Sequence, residues 1–422
     1  MIDSKTNSSP IPESIATTVI GGSQAGLSVS YWLKQAQHDH IVLEADRVGS
    51  SWLQKRWDSF CLVTPNWMVR LPSFPYQGDG PNGFLQREEI VDYLRDYAAS
   101  FEPPLFEGVK VMRLTKTPEG FELVTNAGRV LAQNVVICVG YFHEPKLPES
   151  AASIDGSIFQ LHSRDYKAPN QLPDGGVLVV GSGQSGAQIA EELHDAGRPV
   201  WLSVSSAVRE HRWYRGRDNN YWYDLMGGFD RTFADPRNPK ERYTPNPHCS
   251  GKNGGHALNL EKFAEDGIRL VGRVKGAHGT LVEFNSDMIE NVRRAERASQ
   301  DYMRAIDRMI EERGIDAPEP GPENTDDGTP VGKPELRETS ALNLQTERIS
   351  SIVWATGWRG NYDWIEFPII DALGYPKQVR GISDHPGLYF CGLHWMHTLK
   401  SGLLFGVGGD AEHITRHLLA RH

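Results

Sequence analysis

The sequence has 422 residues and a formal net charge of −10 at pH 7, which is enough chain for two or three domains with substantial cores. It contains no basic run that would follow a phosphate backbone and no apolar window as long as a membrane span, so we expect neither nucleic acid nor a membrane as a partner. The N-terminus, MIDSKTNSSPIPES, is polar and lacks the regions of a signal peptide. We therefore expect a cytoplasmic protein with a disordered tail at residues 1–14.

The first predicted element is a strand that ends in a glycine-rich turn and continues into a helix, within TTVIGGSQAGLSVSYWL. Gly21 and Gly26 hold the outer positions of a G-x-G-x-x-G spacing, and Ser23 stands at the middle one. In this motif the glycines allow a tight turn, a close approach of the backbone to a pyrophosphate, and close packing of the helix on the strand. Glu44 ends the next apolar run, HIVLEA, where a carboxylate is expected to bind a ribose hydroxyl. We interpret this stretch as the site of a tightly held FAD, with these predicted contacts: Gly21, Gly22, Ser23, Gln24, Ala25, Gly26 and Glu44.

The next segment, RVGSSWLQKRWDSFCLVTPNWMVRLPSFP, is rich in turn residues and aromatic residues, which predicts an irregular segment laid across the cofactor. Trp52 and Trp57 are candidates to line the flavin, although packing of these rings against the domain core is an equally good interpretation. Apolar residues then recur at helical spacing from Arg87 to Phe101, which predicts a covering helix. Two strands follow, GVKVMRL and FELVTN, and Val111 in the first of them is a further predicted cofactor contact.

Two strand ends predict crossings between domains. NVVICVGYFHEPKLP ends a strand at Gly140 and then enters prolines, and RISSIVWATGWRG ends another apolar strand at Ala355, Thr356 and Gly357. We expect the chain to leave the first domain at one and to return at the other, with all four residues near a cofactor. The predicted division is an FAD-binding domain at 15–143 and 350–422, and an NADPH-binding domain at 149–349.

The second glycine-rich turn lies in VLVVGSGQSGAQIAEEL, after a continuous apolar strand of the kind buried on both faces of a parallel sheet. It keeps the full G-x-G-x-x-G spacing, so two such turns in one chain imply two dinucleotides. The predicted contacts are Gly181, Ser182, Gly183, Gln184, Ser185 and Gly186.

The second turn lacks the acid of the first. Its next strand, PVWLSVS, ends in serines that include Ser205, with Arg209 and Arg212 just beyond. Hydroxyl and guanidinium groups suit a 2′-phosphate, which a carboxylate would repel, so we predict NADPH with Ser205 and Arg209 as contacts. The alternative is that both arginines are solvated surface charges.

The region from about Arg212 to Pro334 exceeds a minimal nucleotide-binding half and predicts an insertion. Its aromatic cluster gives three predicted substrate contacts, Tyr214, Tyr221 and Trp222, although a lid or a dimer contact would have the same composition. Helical periodicity from Asp287 to Arg313 predicts one long covering helix.

The C-terminal stretch predicts a strand, a loop and a final helix whose N-terminus near Ser401 would face the flavin. Gly402 and Leu403 are therefore predicted cofactor contacts. The loop before them carries three candidate catalytic residues, which an ordinary capping loop would explain equally well: His394, Trp395 (also a substrate candidate) and His397.

The four cysteines, Cys61, Cys138, Cys249 and Cys391, are far apart in the sequence and form no C-x-x-C pair. Flavoproteins that reduce disulfides need a redox-active pair beside the flavin, so the cysteine spacing does not favour that class. The histidines do not cluster with cysteines at metal-ligand spacing, so we predict no metal site.

Together these features resemble the class B flavin-dependent monooxygenases, which include FMO-type, YUCCA-like and Baeyer–Villiger enzymes. The resemblance rests on both turns, on VGSSW as a form of the family's G-G-x-W, on the CVG and ATG crossings, and on LHSRDY. The family signature F-x-G-x-x-x-H-x-x-x-(Y/F/W) is matched at His162 and Tyr166, whereas Gly156 and Ile158 stand at the Phe and Gly positions. A bacterial branch of flavoproteins is similar in YRGRD and GGHALNL as well.

The resemblance implies an α/β fold with two Rossmann-type domains, for FAD and NADPH, the second inserted into the first and carrying a mostly helical insertion at about 212–334. It implies that NADPH reduces FAD, that O2 adds at flavin C4a to give a (hydro)peroxyflavin, and that one oxygen atom enters a small organic substrate. Baeyer–Villiger members typically have Trp where this chain has Tyr166, which favours N-, S- or aromatic oxygenation. Two alternatives stay open: an NADPH-dependent flavin oxidoreductase without oxygen insertion, and a non-catalytic nucleotide-sensing flavoprotein. A homodimer is also open.

Overall fold

The computed structural model describes residues 10–206, 208–232, 247–325, 328–332 and 334–421, so most of the predicted N-terminal tail lies outside the described residues. The described chain is an α/β structure with two large sheets. In each sheet a central parallel strand ends at one of the glycine-rich turns and is followed by a helix.

The first sheet is mixed. Its strand Ser14–Ile20 is parallel to both neighbours and is buried from Thr17 onward. The strands run in the order Leu105–Glu107, His40–Glu44, Ser14–Ile20, Gly128–Ile137, Gly120–Thr125 and Val111–Thr117. Leu388–Phe390 adds a parallel strand beside Gly128–Ile137, so a segment from near the C-terminus completes the sheet that the N-terminus begins.

The second sheet is parallel throughout. Its strands run in the order Phe159–His162, Ile349–Trp354, Gly176–Val180, Val200–Ser203 and Arg269–Val271. The central strand is buried along its whole length, as its apolar sequence predicted, with Val177 and Val179 in one hydrophobic cluster and Leu178 and Val180 in another. The domain boundary predicted at residue 350 lies within the strand Ile349–Trp354. That strand pairs with Phe159–His162 and with Gly176–Val180, so it belongs to the second sheet.

The α-helices are Gln24–Gln35, Ser50–Gln54, Arg87–Phe101, Gln184–Asp195, Asn219–Leu225, Leu260–Asp266, Met288–Arg313 and Val407–Leu419. Two helix predictions are confirmed: Arg87–Phe101, which begins with a capping box between Gln86 and Glu89, and the long helix Met288–Arg313. The helix Ser50–Gln54 lies in the segment predicted to be irregular.

The predicted helix start near Ser401 is wrong. Residues Leu399–Gly402 form one 3-10 turn, Leu403 is extended, and the α-helix begins at Val407. The Ser401 hydroxyl accepts hydrogen bonds from the backbone N–H groups of His397 and Thr398, which closes the 3-10 turn on itself instead of starting a longer helix.

Smaller antiparallel pairs complete the fold. A three-stranded sheet consists of Val274–His278, Leu281–Phe284 and Ala341–Asn343. The two-stranded ribbons are Arg70–Leu71 with Phe74–Pro75, Glu144–Pro145 with Trp358–Arg359, Trp213–Tyr214 with Arg217–Asp218, and Cys249–Ser250 with His256–Ala257. None of the helices described is both long enough and apolar enough to cross a membrane.

Candidate functional site

The first turn has the contacts that its glycines predict. Gly21 has φ +102°, and a Cβ there would lie 2.8 Å from the carbonyl oxygen of Cys138. A Cβ on Gly26 would lie 1.7 Å from the carbonyl oxygen of Gly21, so the helix packs against the turn more closely than any side chain would allow. Ser23 precedes the helix and donates a hydrogen bond to the Gln24 side chain, 2.6 Å away.

Glu44 faces this turn from the end of the neighbouring strand. Its carboxylate accepts hydrogen bonds from the N–H groups of Gly22, at 2.7 Å, and of Asp46, at 2.9 Å. Burial raises the pKa of Glu44, and these two N–H groups oppose the rise. Val109 also lies beside Glu44, since its N–H donates to the Glu44 carbonyl at 2.8 Å, whereas the predicted contact Val111 begins the next strand. The Glu44 carboxylate thus lies beside the turn, in the position expected for a group that accepts a hydrogen bond from the ribose hydroxyl of an adenosine cofactor.

The second turn repeats the first. Gly181 has φ +106°, and its Cβ would lie 2.5 Å from the carbonyl oxygen of Ala355. A Cβ on Gly186 would lie 1.8 Å from the carbonyl oxygen of Gly181. At the middle position, a Cβ on Gly183 would meet no atom within 4 Å, so there is open space where a pyrophosphate would approach the start of the helix. Both turns thus have the shape that a dinucleotide requires.

The strand end beside the second turn is built from serine hydroxyls. The Ser182 hydroxyl accepts a hydrogen bond from the N–H of Ser205, at 2.9 Å, and Ser203 donates to the Gly272 carbonyl at 2.9 Å. Arg209 and Arg212 both point into the protein. Arg209 is paired with Glu296, and Arg212 is paired with Asp218. In this conformation both guanidinium groups are buried and paired with carboxylates, so neither is a solvated surface charge.

A segment of the insertion covers the start of the second helix. The side chain of Gln184 donates to the Cys249 carbonyl, at 2.6 Å, and accepts from its N–H, at 3.3 Å. Next to it, His248 is fully buried, and neither ring nitrogen has a hydrogen-bond partner among the described residues. Burial lowers the pKa of His248 to about 4, so the imidazole is neutral at pH 7. Ser185 is half-buried in the first turn of the helix.

The two crossings lie side by side. Glu144–Pro145 pairs with Trp358–Arg359, which joins the chain that leaves the first sheet to the chain that returns. Gly140 and Gly357 have φ +71° and +87°. Near the return, Ala355 donates to the Val180 carbonyl beside the second turn, Thr356 donates to the Lys146 carbonyl, and His162 Nε2 lies 3.0 Å from the Gly357 carbonyl oxygen.

The tryptophans after the first turn have different surroundings. Trp52 is half-buried against the core of the first sheet, and the Arg56 guanidinium lies 5.6 Å from its ring centre. Trp57 is buried in a cluster under the second sheet, edge-on to Phe60 with ring centres 5.1 Å apart. Tyr166 is in that cluster too, and its hydroxyl donates to Glu192 at 2.8 Å. Trp57 therefore has a packing role, and Trp52 is the better placed of the two to meet a ligand.

Two of the three aromatic residues predicted to contact substrate in the insertion, Tyr214 and Trp222, belong to a hydrophobic core. Tyr214 donates to Asp307 on the long helix, at 2.8 Å, and Trp222 donates to the Tyr214 carbonyl, at 2.7 Å. Both rings are buried against that helix, whereas Tyr221 is 36% exposed beneath Arg217. The YRGRD stretch thus ties the insertion to the long helix, and the substrate role predicted for Tyr214 and Trp222 does not fit their burial.

The C-terminal loop lies against the first turn. A Cβ on Gly392, which follows the last strand, would lie 2.5 Å from the Ala25 side chain, and Gly402 packs near the backbone of His394. His394 accepts a hydrogen bond at its carbonyl from Tyr375, at 2.8 Å. Trp395 is buried with φ +54°, and the Arg231 guanidinium lies 5.1 Å from its ring centre. The structure therefore brings this loop to the first nucleotide turn.

One pair of residues was missed by the sequence reasoning. Cys138 and Cys391 directly follow the paired residues Ile137 and Phe390, and their thiols are hydrogen-bonded although both cysteines are free. The thiol contact and burial raise the pKa of Cys391 well above its usual value, which keeps it as an unreactive thiol. No group of three or more His, Cys, Asp or Glu side chains within the described ranges is arranged to hold a metal ion.

Comparison with known proteins finds a family model and relatives that are all named as oxidoreductases or monooxygenases. The family model for pyridine nucleotide-disulphide oxidoreductases matches residues 18–223. A CzcO-like uncharacterized oxidoreductase from Geobacillus kaustophilus is 32% identical over 404 residues, which span 95% of this chain and 97% of the relative. Human dimethylaniline monooxygenase (N-oxide-forming) 4 is 33% identical over 230 residues, which span 49% of this chain and 40% of that protein.

A solved structure agrees with the fold. A mutant of the flavin monooxygenase from Stenotrophomonas maltophilia superposes with a TM-score of 0.67 at 20% identity, covering 97% of this chain and 99% of that one. The resemblance that the sequence predicted is confirmed by the family match to residues 18–223 together with the matches to named flavin monooxygenases, and the match over 95% of the chain to the Geobacillus relative identifies the branch. The chain therefore belongs to the class B-type flavin-dependent monooxygenase family, in the branch of the CzcO-like oxidoreductases, and is an oxidoreductase.

Proposed function

We propose that this protein is an FAD-dependent monooxygenase that consumes NADPH and inserts one atom of O2 into a small organic substrate. The observation that carries the proposal is the presence of two dinucleotide-shaped turns with nearly the same close contacts, at Gly26 and at Gly186, on two separate sheets. One turn alone would serve a simple dehydrogenase, whereas two allow a resident flavin and an exchanging nicotinamide.

In this proposal the first sheet, with the segment that returns at its C-terminus, is the FAD domain, and the second sheet with the insertion is the nicotinamide domain. FAD, when bound, supplies the hydride acceptor and the centre that reacts with oxygen. The chain would bind and orient the cofactor: Glu44 would hold the adenosine ribose, and the N–H groups at the start of Gln24–Gln35 would face the pyrophosphate. Gly402 and Leu403 follow the loop that contacts the first turn through Gly392, and we propose that they lie near the flavin.

The proposed substrate lies between the two sheets, near the crossings and the C-terminal loop. Trp52, which is half-buried, is the aromatic side chain that we assign to its boundary, together with His394 and His397 of the C-terminal loop, because this loop contacts the first turn through Gly392. Trp395 is as buried as Trp57, so we do not assign it to the boundary.

Tyr166 stands at the family signature position and is hydrogen-bonded to Glu192, and its identity favours N-, S- or aromatic oxygenation over Baeyer–Villiger chemistry. The human relative is named for N-oxide formation, which supports an amine as the first compound to test.

A second candidate is an oxidoreductase that passes hydride to an acceptor without oxygen insertion. The matching family model, which describes pyridine nucleotide-disulphide oxidoreductases, favours it. The buried thiols of Cys138 and Cys391 oppose a disulfide substrate, since both side chains are away from solvent.

The deciding experiment is a turnover screen under oxygen-18 gas. NADPH consumption is followed with amine, sulfide, ketone and indole-type compounds, and the products are examined by mass spectrometry. Incorporation of one heavy oxygen atom per NADPH consumed supports the monooxygenase. Substrate-dependent consumption with no label in any product supports the second candidate, and a protein that binds FAD but never consumes NADPH would be a nucleotide sensor. Light scattering of the same sample tests the homodimer that we propose as its assembly.

A further inference from the structure

We infer that the second nucleotide site binds NADH and NADPH with similar affinity, because the two arginines that follow its second strand are engaged inside the protein. This inference rests on the proposed function, since it concerns the nicotinamide nucleotide that the site holds. It concerns the phosphate that distinguishes the two nucleotides, and not whether either nucleotide reduces the flavin.

The two nucleotides differ only in the 2′-phosphate of the adenosine ribose. In doubly wound nucleotide domains that position is read at the end of the strand next to the glycine-rich turn, by a carboxylate for NADH or by a cation for NADPH. Here that strand is Val200–Ser203, which pairs with Gly176–Val180. Discrimination therefore depends on the charge of the side chains that follow Ser203.

Arg209 is the first cation after this strand, and it is held by a carboxylate. Its Nε and Nη2 atoms donate to Oε2 of Glu296, at 3.0 and 2.6 Å, and its side chain is only 2% exposed. The other carboxylate oxygen of Glu296 accepts from Gln300, at 3.0 Å, which holds it on the long helix. To reach a phosphate, Arg209 would have to leave a partly buried carboxylate without its partner, which is strongly unfavourable.

Arg212 is held more firmly still. It is fully buried, with Nη2 2.5 Å from Asp218 and Nη1 2.8 Å from the Val63 carbonyl. Its guanidinium carbon lies 4.7 Å from the centre of the Phe84 ring. These contacts join the insertion to the segment after the first turn, so Arg212 has a structural role at that junction.

Among the described residues that directly follow the strand, the side chains of Ser205 and Ser206 are neutral. Ser205 is half-buried and its N–H is bonded to Ser182, and Ser206 is exposed. A hydroxyl forms a hydrogen bond with a ribose hydroxyl or with a phosphate oxygen, and it neither attracts nor repels the phosphate charge. Charge-assisted hydrogen bonds are about twice as strong as neutral ones. Because Ser205 and Ser206 supply none, and the described arginines after them are engaged inside the protein, we infer a preference of less than about tenfold for either nucleotide.

The test measures binding of two fragments that carry only the adenosine end. The FAD-loaded protein is titrated by calorimetry with 5′-AMP and with adenosine 2′,5′-bisphosphate, and the two Kd values are expected to agree within about tenfold. Binding of the bisphosphate more than about 30-fold tighter would overturn the inference, by showing that a cation reads the phosphate. Anaerobic reduction of the flavin by NADH and NADPH is measured in parallel. If neither reduces it, the proposed function fails while the Kd ratio still decides this inference.

Two variants sharpen the result. Ser206→Arg adds an exposed guanidinium at the strand end and is expected to tighten bisphosphate binding about 10- to 100-fold without changing 5′-AMP binding, with Ser206→Gln as its control. The absence of a selective gain would overturn the assignment of this strand end as the phosphate position.

Arg209→Gln is expected to change both Kd values by the same factor. A loss confined to the bisphosphate would show that Arg209 leaves Glu296 to bind the phosphate, which would also overturn the inference.

Discussion

The two glycine-rich turns have almost the same backbone geometry but opposite hydrogen bonding to their second strand. In the first, the turn N–H of Gly22 donates to the carboxylate of Glu44; in the second, the turn hydroxyl of Ser182 accepts from the strand-end N–H of Ser205. The strand end beside the first turn therefore carries a carboxylate, and the strand end beside the second carries hydroxyls. The motif determines how closely the helix packs on the turn, whereas ribose recognition depends on one side chain some twenty residues later.

The turns also differ in what covers them. The first helix is packed against the C-terminal segment, where Trp32 donates to the Gly408 carbonyl at 3.2 Å and Gly392 lies against Ala25. The second helix is covered at its start by an insertion segment through Gln184 and Cys249. Under the proposed function, we expect the cofactor beside the C-terminal segment to stay bound and the one beside the insertion segment to be exchanged at each turnover.

The largest expected effect separates the two sites completely. Gly26→Ala is expected to yield protein without FAD, and Gly186→Ala to yield yellow protein whose flavin is not reduced by NADPH, because each new Cβ would lie less than 2 Å from a backbone oxygen. Flavin absorbance and anaerobic reduction measure the two outcomes, and circular dichroism reports folding. Gly183→Ala, with no atom within 4 Å, is the control that should stay folded and keep FAD. Equal loss of FAD from both variants would mean that the two sites are not independent.

The next effect concerns the open space at the second helix. Gly183→Leu fills the position where the pyrophosphate would lie, so flavin reduction by NADPH is expected to slow about 100-fold while FAD stays bound. Rapid mixing without oxygen measures the rate. The matched change at the first turn is Ser23→Gly, which restores the full motif and is expected to leave both FAD content and reduction near the parent values. An unchanged rate in Gly183→Leu would place the nicotinamide nucleotide elsewhere.

A smaller effect is expected at the acid that only the first site has. Glu44→Ala should weaken FAD binding about 10- to 100-fold, since it removes a charge-assisted hydrogen bond. Glu44→Gln keeps an acceptor and should lose less. Glu107→Gln, on the neighbouring strand, is the control, because Glu107 accepts from Val48 N–H at 2.7 Å and has no predicted role toward the ribose. FAD affinity is measured by reconstitution of the apoprotein; the assignment of Glu44 fails if Ala is tolerated as well as Gln.

The parts that the sequence predicts well are those set by local spacing. The turn at Gly181 follows from the motif, and the helix Arg87–Phe101 follows from its periodicity. The structure adds the capping box of Gln86 and Glu89 at its start. The glycine contacts explain why the motif predicts the turns. A Cβ on Gly26 or on Gly186 would lie 1.7 or 1.8 Å from the carbonyl oxygen of the first glycine of its turn, so only glycine fits at these positions.

The parts that were missed depend on partners distant in the sequence. Arg209 is paired with a carboxylate 87 residues later, which no local pattern around Arg209 indicates. Cys138 and Cys391 meet only because the C-terminal strand adds beside Gly128–Ile137. The composition of the aromatic run at Tyr214 fits a substrate surface, a lid or a dimer contact equally well, and it does not show that the long helix covers Tyr214 and Trp222. Function at these positions has to be argued from the packed structure.

The smallest expected effect tests the cover of the second site through its buried histidine. Burial lowers the pKa of His248 from 6.5 to about 4, so the folded protein binds this proton less tightly than the unfolded chain. The stabilising contribution is therefore complete above about pH 6.5 and is lost as the pH falls toward 4, by about 1 kcal/mol between pH 7 and pH 5.5. Glu210, whose pKa burial raises to about 7, has the opposite sign, because its contribution is lost as the pH rises through 7.

The readout for His248 is accordingly a difference between two proteins. Urea unfolding of the parent and of His248→Gln is compared at pH 7 and pH 5.5, and the parent is expected to lose about 1 kcal/mol more than the variant, since glutamine does not titrate. Hydrogen exchange should locate the acid sensitivity in the segment that covers the second turn, around Cys249, and not at the first turn. Identical pH dependence in both proteins would show that His248 is solvated. The conclusion that the segment around Cys249 covers the start of the second helix would then lose its support.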